Sequence, residues 1–385
     1  MSGNVNYYTS WAKVSKQDNT GGSVTQGGNL VGQGTNTNNS QGNGLLPNFL
    51  SVSGTTRQND LDVTFLISIQ PGSANNSALG QVYGSAAGNV FNAGGMNNRQ
   101  AFITFGDKSW GTVKMGKDLG IFASDAILSD ITLLGVGGAS AGGAGNTSLG
   151  RIGFGYIYAD WKPQISYSTP NMNGFQATVG ITKAFDAVSD SNGTLLTSAG
   201  SANASPAYEG KASYSFAANG VDGKVWVSGI SQKVGAIVGY ANEDSVAYMG
   251  DIGANLNMAG FGLTGYYYGG NGIGTTGQFY DAYGINSGTG KIAGRDSDGG
   301  YVQLTYVLPT KTKLAASWGV SNLDQASGEN YTNLVKKNEM WDAMIIHPLT
   351  KHLNLVAEYS NQRSENQGGQ ENTQNVGSLG AILFF

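Results

Sequence analysis

The chain has 385 residues, with 61 Gly, 7 Pro, no Cys, 12% charged residues and a formal net charge of −4. The missing cysteine excludes disulfides, thiol catalysis and Cys-ligated zinc, and the absence of any Lys/Arg block removes the electrostatic footprint of a nucleic-acid binder. No apolar run is long enough for a transmembrane helix, and a length usual for two or three soluble domains also suits one large closed barrel, whose size follows strand number.

Taken in chain order, the opening Met1-Ser2-Gly3-Asn4-Val5-Asn6-Tyr7 lacks the apolar core of a secretion signal. Met1 reads as an expression start on a mature chain whose export signal has been removed. Residues 5–14 form the first predicted strand, and a Gly-, Asn-, Thr-, Ser- and Gln-rich run over 16–47 follows as a loop. From Leu61 to Ile69 the odd positions are apolar and the even ones mostly polar. Phe175, Ala177, Val179 and Ile181 alternate with Gln176, Thr178 and Gly180. The same period of two runs through Val302, Leu304, Tyr306 and Leu308, and through Leu353, Leu355, Ala357 and Tyr359. Successive side chains on a strand point to opposite faces, so each strand has one apolar and one mixed face.

Seven short connections, at 56–60, 107–110, 170–174, 218–223, 257–260, 308–311 and 347–351, are rich in Gly, Asn, Asp or Pro and read as tight turns. Between the hairpins lie long polar segments at 71–98, 118–158, 186–207, 270–299, 321–338 and 361–374, and a shorter one at 241–246. Seven hairpins plus a strand at each end, 5–14 and 375–385, predict sixteen strands. A soluble β-helix, a β-sandwich or a surface adhesin shares the composition and the alternation. Short turns alternating with long loops along the whole chain instead match a transmembrane barrel. In hydrocarbon an unpaired backbone group costs several kcal/mol, so the first strand must pair with the last. Leu379, Ala381, Leu383 and Phe385 then share the lipid face.

Two hairpins carry a family resemblance. Arg99-Gln100-Ala101-Phe102-Ile103-Thr104-Phe105-Gly106 with Trp110-Gly111-Thr112-Val113-Lys114-Met115-Gly116-Lys117 resembles the "RQAFVGL…GFGTVRLGRQ" hairpin of the Gram-negative general-diffusion porins. Ile165-Ser166-Tyr167-Ser168-Thr169-Pro170 with Gly174-Phe175 is similar to that family's "IRYDSP…GF". Tyr301 to Tyr306, Leu314-Ala315-Ala316 and the terminal Phe385 also fit, so the likeness covers patches from about residue 49 to the end. It implies an all-β transmembrane antiparallel barrel of sixteen strands over 1–385, with long extracellular loops and short periplasmic turns. It also implies a homotrimer, and a third loop, 118–158, folded inward as a constriction. The implied function is passive diffusion of small hydrophilic solutes and ions across the outer membrane, with no catalysis. A sugar- or organic-anion-preferring porin is the runner-up. Outer-membrane lipid and lipopolysaccharide are the implied surroundings. The family often sets arginines opposite its acidic third loop; this chain has only Arg57, Arg99, Arg151, Arg295 and Arg363.

The candidate constriction residues are therefore Asp118, Asp125 and Asp130, set against Lys114, Lys117, Arg99 and Lys13. The acids could equally solvate the loop or cap a short helix within 123–133. An acidic loop facing lysines would make a field across the bore. Tyr7, Trp11, Trp161, Tyr167, Tyr267, Trp318, Trp341 and Tyr359 are girdle candidates, and the Tyr266-Tyr267-Tyr268 run fits a girdle or wall better than a sugar track. Gly138-Ala139-Ser140-Ala141-Gly142 and Gly272-Ile273-Gly274-Thr275-Thr276-Gly277 match catalytic and dinucleotide patterns, but neither has the strand–helix context those need. No organic cofactor is expected. Asp296-Ser297-Asp298-Gly299 is a weak calcium candidate, with an ordinary polar turn as the favoured alternative.

Overall fold

The computed structural model describes residues 1–20, 30–32, 37–73, 96–138, 147–185, 187–189, 195–197, 205–235 and 245–385. In chain order the first strands are β1 (Ser2–Gln17), β2 (Thr37–Gly42), β3 (Phe49–Gln58), β4 (Leu61–Pro71), β5 (Met96–Asp107) and β6 (Gly111–Leu119). A short helix α1 (Ser124–Ser129) and a 3-10 turn (Ile131–Leu134) come next. Then follow β7 (Trp161–Ser168), β8 (Phe175–Thr182), β9 (Ala187–Ser189), β10 (Leu195–Thr197), β11 (Ala207–Ala218), β12 (Val221–Val234) and β13 (Ser245–Met258). The last are β14 (Phe261–Asn271), β15 (Tyr283–Ile285), β16 (Ile292–Gly294), β17 (Asp296–Val307), β18 (Lys313–Leu323), β19 (Val335–Pro348), β20 (Leu353–Asn366) and β21 (Glu371–Phe384).

One antiparallel sheet joins seventeen of these segments, while β9 with β10 and β15 with β16 form separate loop hairpins. The sheet closes on itself: β1 pairs with β21 from Asn4 opposite Phe384 to Gln17 opposite Asn372. Closure removes the open edge that hydrocarbon forbids. On its other side β1 pairs with β2 through Tyr8–Lys13 and with β3 through Ser2–Asn4. Segments β2 and β3 are therefore two parts of one stave, and seventeen segments make sixteen staves. All seven predicted turns join neighbouring staves.

The predicted loop at 16–47 needs correction, because 37–42 is strand β2. Its Thr, Asn, Ser and Gln residues have no apolar alternation, so the periodicity argument passed over it. The stave breaks at 43–48, where Leu45 N–H donates to Gly135 O at 2.8 Å and Leu46 N–H to Leu133 O at 3.2 Å, both in the third loop.

The alternation resolves outward for the apolar set. Phe65, Ile67, Val179, Ile181, Val302, Leu304, Leu355 and Leu379 are all exposed on the outer face. Aromatic Tyr7, Trp11, Tyr267, Trp341 and Tyr359 join them, as a lipid-facing surface requires. Tyr266 and Tyr268 turn inward, and Tyr266 packs against Tyr301 with ring centroids 5.7 Å apart. The inner face is not wet throughout. Trp226 and Ile230 of β12 point inward and are buried with Phe122, Ala126, Ile127, Tyr156 and Tyr301. The inner face of β12 carries these two apolar side chains because the third loop covers it from within.

Candidate functional site

The third loop runs between the end of β6 at Leu119 and the start of β7 at Trp161, so its predicted bounds of 118–158 move by about two residues. It lines the inside of the wall and is held there by side chains from many staves. Ile121 and Phe122 N–H donate to Glu209 of β11 at 2.8 and 2.9 Å. The Tyr301 hydroxyl donates to Ala126 O at 2.8 Å, and Ile131 N–H donates to Gln303 at 2.7 Å. Tyr8 of β1 donates to Leu134 O at 2.8 Å. Val136 and Gly137 N–H donate to Glu358 of β20 at 2.6 and 2.9 Å. On the return, Arg151 donates to Met340 O at 3.1 Å and Tyr158 N–H to Thr276 O at 2.8 Å. Buried backbone groups need such partners, and the wall supplies many of them. A carboxylate facing two consecutive N–H groups recurs at Glu209 and Glu358, so these wall acids serve as anchors.

Glu209 also accepts from Thr182 at 3.0 Å and forms a buried ion pair with Lys162, whose ammonium reaches Gln278 at 2.8 Å. Gln278 returns a donor to Tyr158 O at 3.0 Å. The segment between β14 and β17 is thus tied to the end of the third loop.

The structure sorts the seven constriction candidates. Lys114 points inward as expected, above the Phe102 ring at 4.8 Å and in an ion pair with Asp118. Asp118 belongs to β6 and not to the loop, and it also accepts from Gln100 at 2.9 Å. Asp125, on α1, receives Lys211 of β11 at 2.9 Å and pairs with Lys224 of β12. Burial pushes the Asp125 carboxyl up, but Lys211 and Lys224 outweigh it and hold it below the ordinary carboxylate range. Arg99 lies 5.9 Å from the ring centre of Trp161 at the start of β7. Of these four, Lys114, Asp118 and Asp125 lie on the inner side of the wall.

The other three are corrected. Asp130 is buried, accepts from the Tyr156 hydroxyl at 2.9 Å and from Thr132 N–H at 3.1 Å, and lies 3.8 Å from Arg151. It caps the 3-10 turn, which is the capping alternative and not a pore charge. Lys117 shares the outward side of β6 with Val113 and Met115, and donates to Asn98 O at 3.0 Å. Lys13 shares the outward side of β1 with Val5, Tyr7 and Trp11. In both cases alternation counted from an outward neighbour fixes the direction. The calcium candidates change too. Asp296 and Asp298 lie in β17 and not in a turn, and each accepts from an asparagine, Asn271 at 2.8 Å and Asn322 at 2.9 Å. Among the described residues no three His, Asp or Glu converge as metal ligands.

The field across the bore is also changed in form. The acids meet lysines at contact, as short dipoles, and do not face them across water. Arginine makes no open ring: Arg151 and Arg295 are fully buried, and Arg57 at the turn end binds Asp62 at 2.8 Å and Asp107 at 2.9 Å. Lys211 and Lys224 were missed in the sequence, although alternation from outward Tyr214 and Val225 puts both inside. The wall anchors carried no local signal, because their partners lie 70 or more positions away.

A model of the Gram-negative porin family matches residues 11–367. No curated protein sequence matches the chain. Among solved structures, the outer-membrane channel DcaP of Acinetobacter baumannii superposes with a TM-score of 0.71 at 16% identity, over 100% of this chain and 96% of its own. The anion-selective porin from Comamonas acidovorans gives 0.62 at 14% identity, over 100% and 98%. OmpT of Vibrio cholerae, in its trimer form, gives 0.52 at 11% identity, over 100% and 99%.

Proposed function

The chain belongs to the Gram-negative porin family, and on that premise we propose that its bore favours anions among the small solutes it passes. Family and fold make it an outer-membrane β-barrel channel for passive diffusion, one of a family of channels rather than enzymes. The observation that supports the anion reading is an asymmetry within the ion pairs. Lys114 is 33% exposed and its partner Asp118 10%. Lys211 and Lys224 are 24% and 35% exposed, against 9% for the Asp125 they share. In each pair the lysine is the more exposed side chain. A solute in the bore meets the positive end of each dipole, and low-dielectric walls concentrate that field. The seven tight turns lie at the periplasmic end in this reading.

The same reading includes a homotrimer standing among outer-membrane lipid and lipopolysaccharide. Support comes from the exposed apolar and aromatic outer face and from the trimer form in which the Vibrio cholerae relative was solved. Purified protein in planar bilayers under a KCl gradient is the test. Stepwise conductance with a reversal potential of anion-preferring sign is expected. Replacing Lys114, Lys211 and Lys224 together by Gln should move that potential toward cations. Folded protein without conductance steps would overturn the channel, and a triple variant with unchanged reversal potential would overturn the charge reading. A gel band that shifts only on boiling, at the mass of three chains, checks the trimer.

A further inference from the structure

A shallow groove of about 610 Å3 runs over the outer face of β18 to β21. Its lower row is Leu314, Ile345, Ala357 and Leu379, each the cross-strand partner of the next. Ala343 and Gly377, in the row above, leave it open. Alternation fixes the side: Ile345 is exposed between inward Met344 and Ile346, and Leu314 and Leu379 are exposed with it. One row below, His347 stands opposite Leu355. Beneath that the staves end in the turns 308–311 and 347–351, which carry Lys311 and Lys351 and no acidic residue. Both lysines are exposed, and neither has an acidic partner among the described residues. The Thr312 hydroxyl, 2.9 Å from His347 Nδ1, joins the two turns. Lys311 holds a φ of 63°, where Asn173, Asn219 and Gly260 stand in other tight turns, so a lysine here carries a backbone cost that Gly avoids. A second outer groove, lined by Val225, Ile252 and Tyr267, lacks such a foot. The turns beneath it, 218–221 and 257–260, hold neither lysine nor arginine.

We propose that this face binds an anionic phospholipid, with its phosphate between Lys311 and Lys351 and one acyl chain in the groove above. The inference rests on the outer-membrane reading, with the tight turns at the periplasmic end, where the leaflet is phospholipid. Any acyl chain covers apolar wall, so the groove alone selects nothing. The two lysines add the selection, because a cation at the membrane surface attracts an anionic headgroup and gains little from a zwitterionic one. Lysine also suits the place: its stem lies along apolar surface while the ammonium stays at the interface. His347, held by Thr312, presents its ring between the two ammonium groups. Ala343 stands four residues above His347, about 13 Å along the strand, so one chain joins headgroup and groove. The small side chains of Ala343, Ala357 and Gly377 let that chain lie close to the wall, where dispersion contacts are gained.

The test uses the whole protein in a detergent of uncharged headgroup, with bound lipid counted by native mass spectrometry. Phosphatidylglycerol is compared with phosphatidylcholine of the same chains, with lipid A and with glycerol 3-phosphate. The wild type should bind phosphatidylglycerol roughly thirtyfold more tightly than phosphatidylcholine, as two lysine–headgroup contacts imply. Lys311→Gln with Lys351→Gln should erase that difference. Lys108→Gln, the same loss of charge at another tight turn, should leave it intact. Ala343→Phe with Ala357→Phe fills the groove and should weaken phosphatidylglycerol, and glycerol 3-phosphate should not displace it. Equal binding of the two phospholipids by the wild type would overturn the proposal, as would a double-glutamine variant no different from Lys108→Gln. Displacement by glycerol 3-phosphate, or undiminished binding to the filled groove, would remove the acyl chain from the site. Preference for lipid A would assign the face to the other leaflet and overturn the proposal equally. Boiling-dependent gel mobility shows that each variant is a folded barrel, and absence of KCl steps in bilayers would instead overturn the channel reading.

Discussion

Asp125 shows how a single side chain sets the local charge of the bore. Its carboxylate holds two ammonium groups, from Lys211 at 2.9 Å and from Lys224. The pair lies at the junction between loop and wall, where solvent screens it only partly. Because the folded carboxyl sits below its ordinary range, the pair is intact at neutral pH. It is lost as pH falls through that depressed value, not before. Protonation then frees two cations toward the water. Anion selectivity is therefore expected to rise on acidification, more in the wild type than in Asp125→Asn, which should start higher and change less. Reversal potentials across a pH series in KCl measure both, and parallel curves would refute the role of Asp125. Alternation predicted the direction of Lys114 from Val113 and Met115, and would have given Lys211 and Lys224 equally. It could not reveal that Asp130 is a cap, because capping depends on where the chain turns and not on its period.

At the scale of elements, the broken stave deserves an energetic account. Where 43–48 leaves the wall, β1 loses a backbone partner, and three asparagine side chains replace it. Asn6 N–H donates to the Asn48 side chain at 2.7 Å, and the Asn6 amide donates to Leu46 O at 2.8 Å and accepts from Gly44 N–H at 2.9 Å. Asn4 donates to Pro47 O at 2.9 Å. Gly44 is needed here because a Cβ would stand 2.2 Å from Gly135 O. The break lets backbone from the wall hydrogen-bond to the third loop. Asn6→Ala leaves Gly44 N–H and Leu46 C=O without these partners, which costs about 1–3 kcal/mol. The variant should unfold at lower urea in detergent and show noisier single-channel current as the loop loosens. Equal noise with lower stability would mean that the break supports only the wall. The sequence does hold a sign of this feature. Leu45-Leu46-Pro47 is an apolar cluster inside a polar run, and a cluster that a loop in water has no reason to keep points to a buried path.

For the whole molecule, everything functional depends on which side of the wall is wet. Turn spacing and period gave the sixteen-stave closed barrel, since both are local properties of backbone and solvent. The interior was less legible: the wall anchors join residues such as Val136 and Glu358, separated by 222 positions, and no local pattern encodes such pairs. One strand can test the global assignment. Ile252 and Asn255 of β13 are three positions apart and face opposite sides. Ile252 is exposed among outward Tyr248 and Leu256, while Asn255 donates inward to Thr264 at 2.7 Å. If the outer face meets hydrocarbon, Ile252→Arg near mid-membrane costs about 2–4 kcal/mol, because a guanidinium there has no water and no partner. Asn255→Arg gains a hydrated lumen for the same group, so it should cost well under half as much and shift the reversal potential further toward anions. Urea titration of folded protein in lipid vesicles measures the first effect and bilayer recording the second. Equal destabilisation by the two arginines, with no change of selectivity, is incompatible with a lipid-facing outside and a conducting inside.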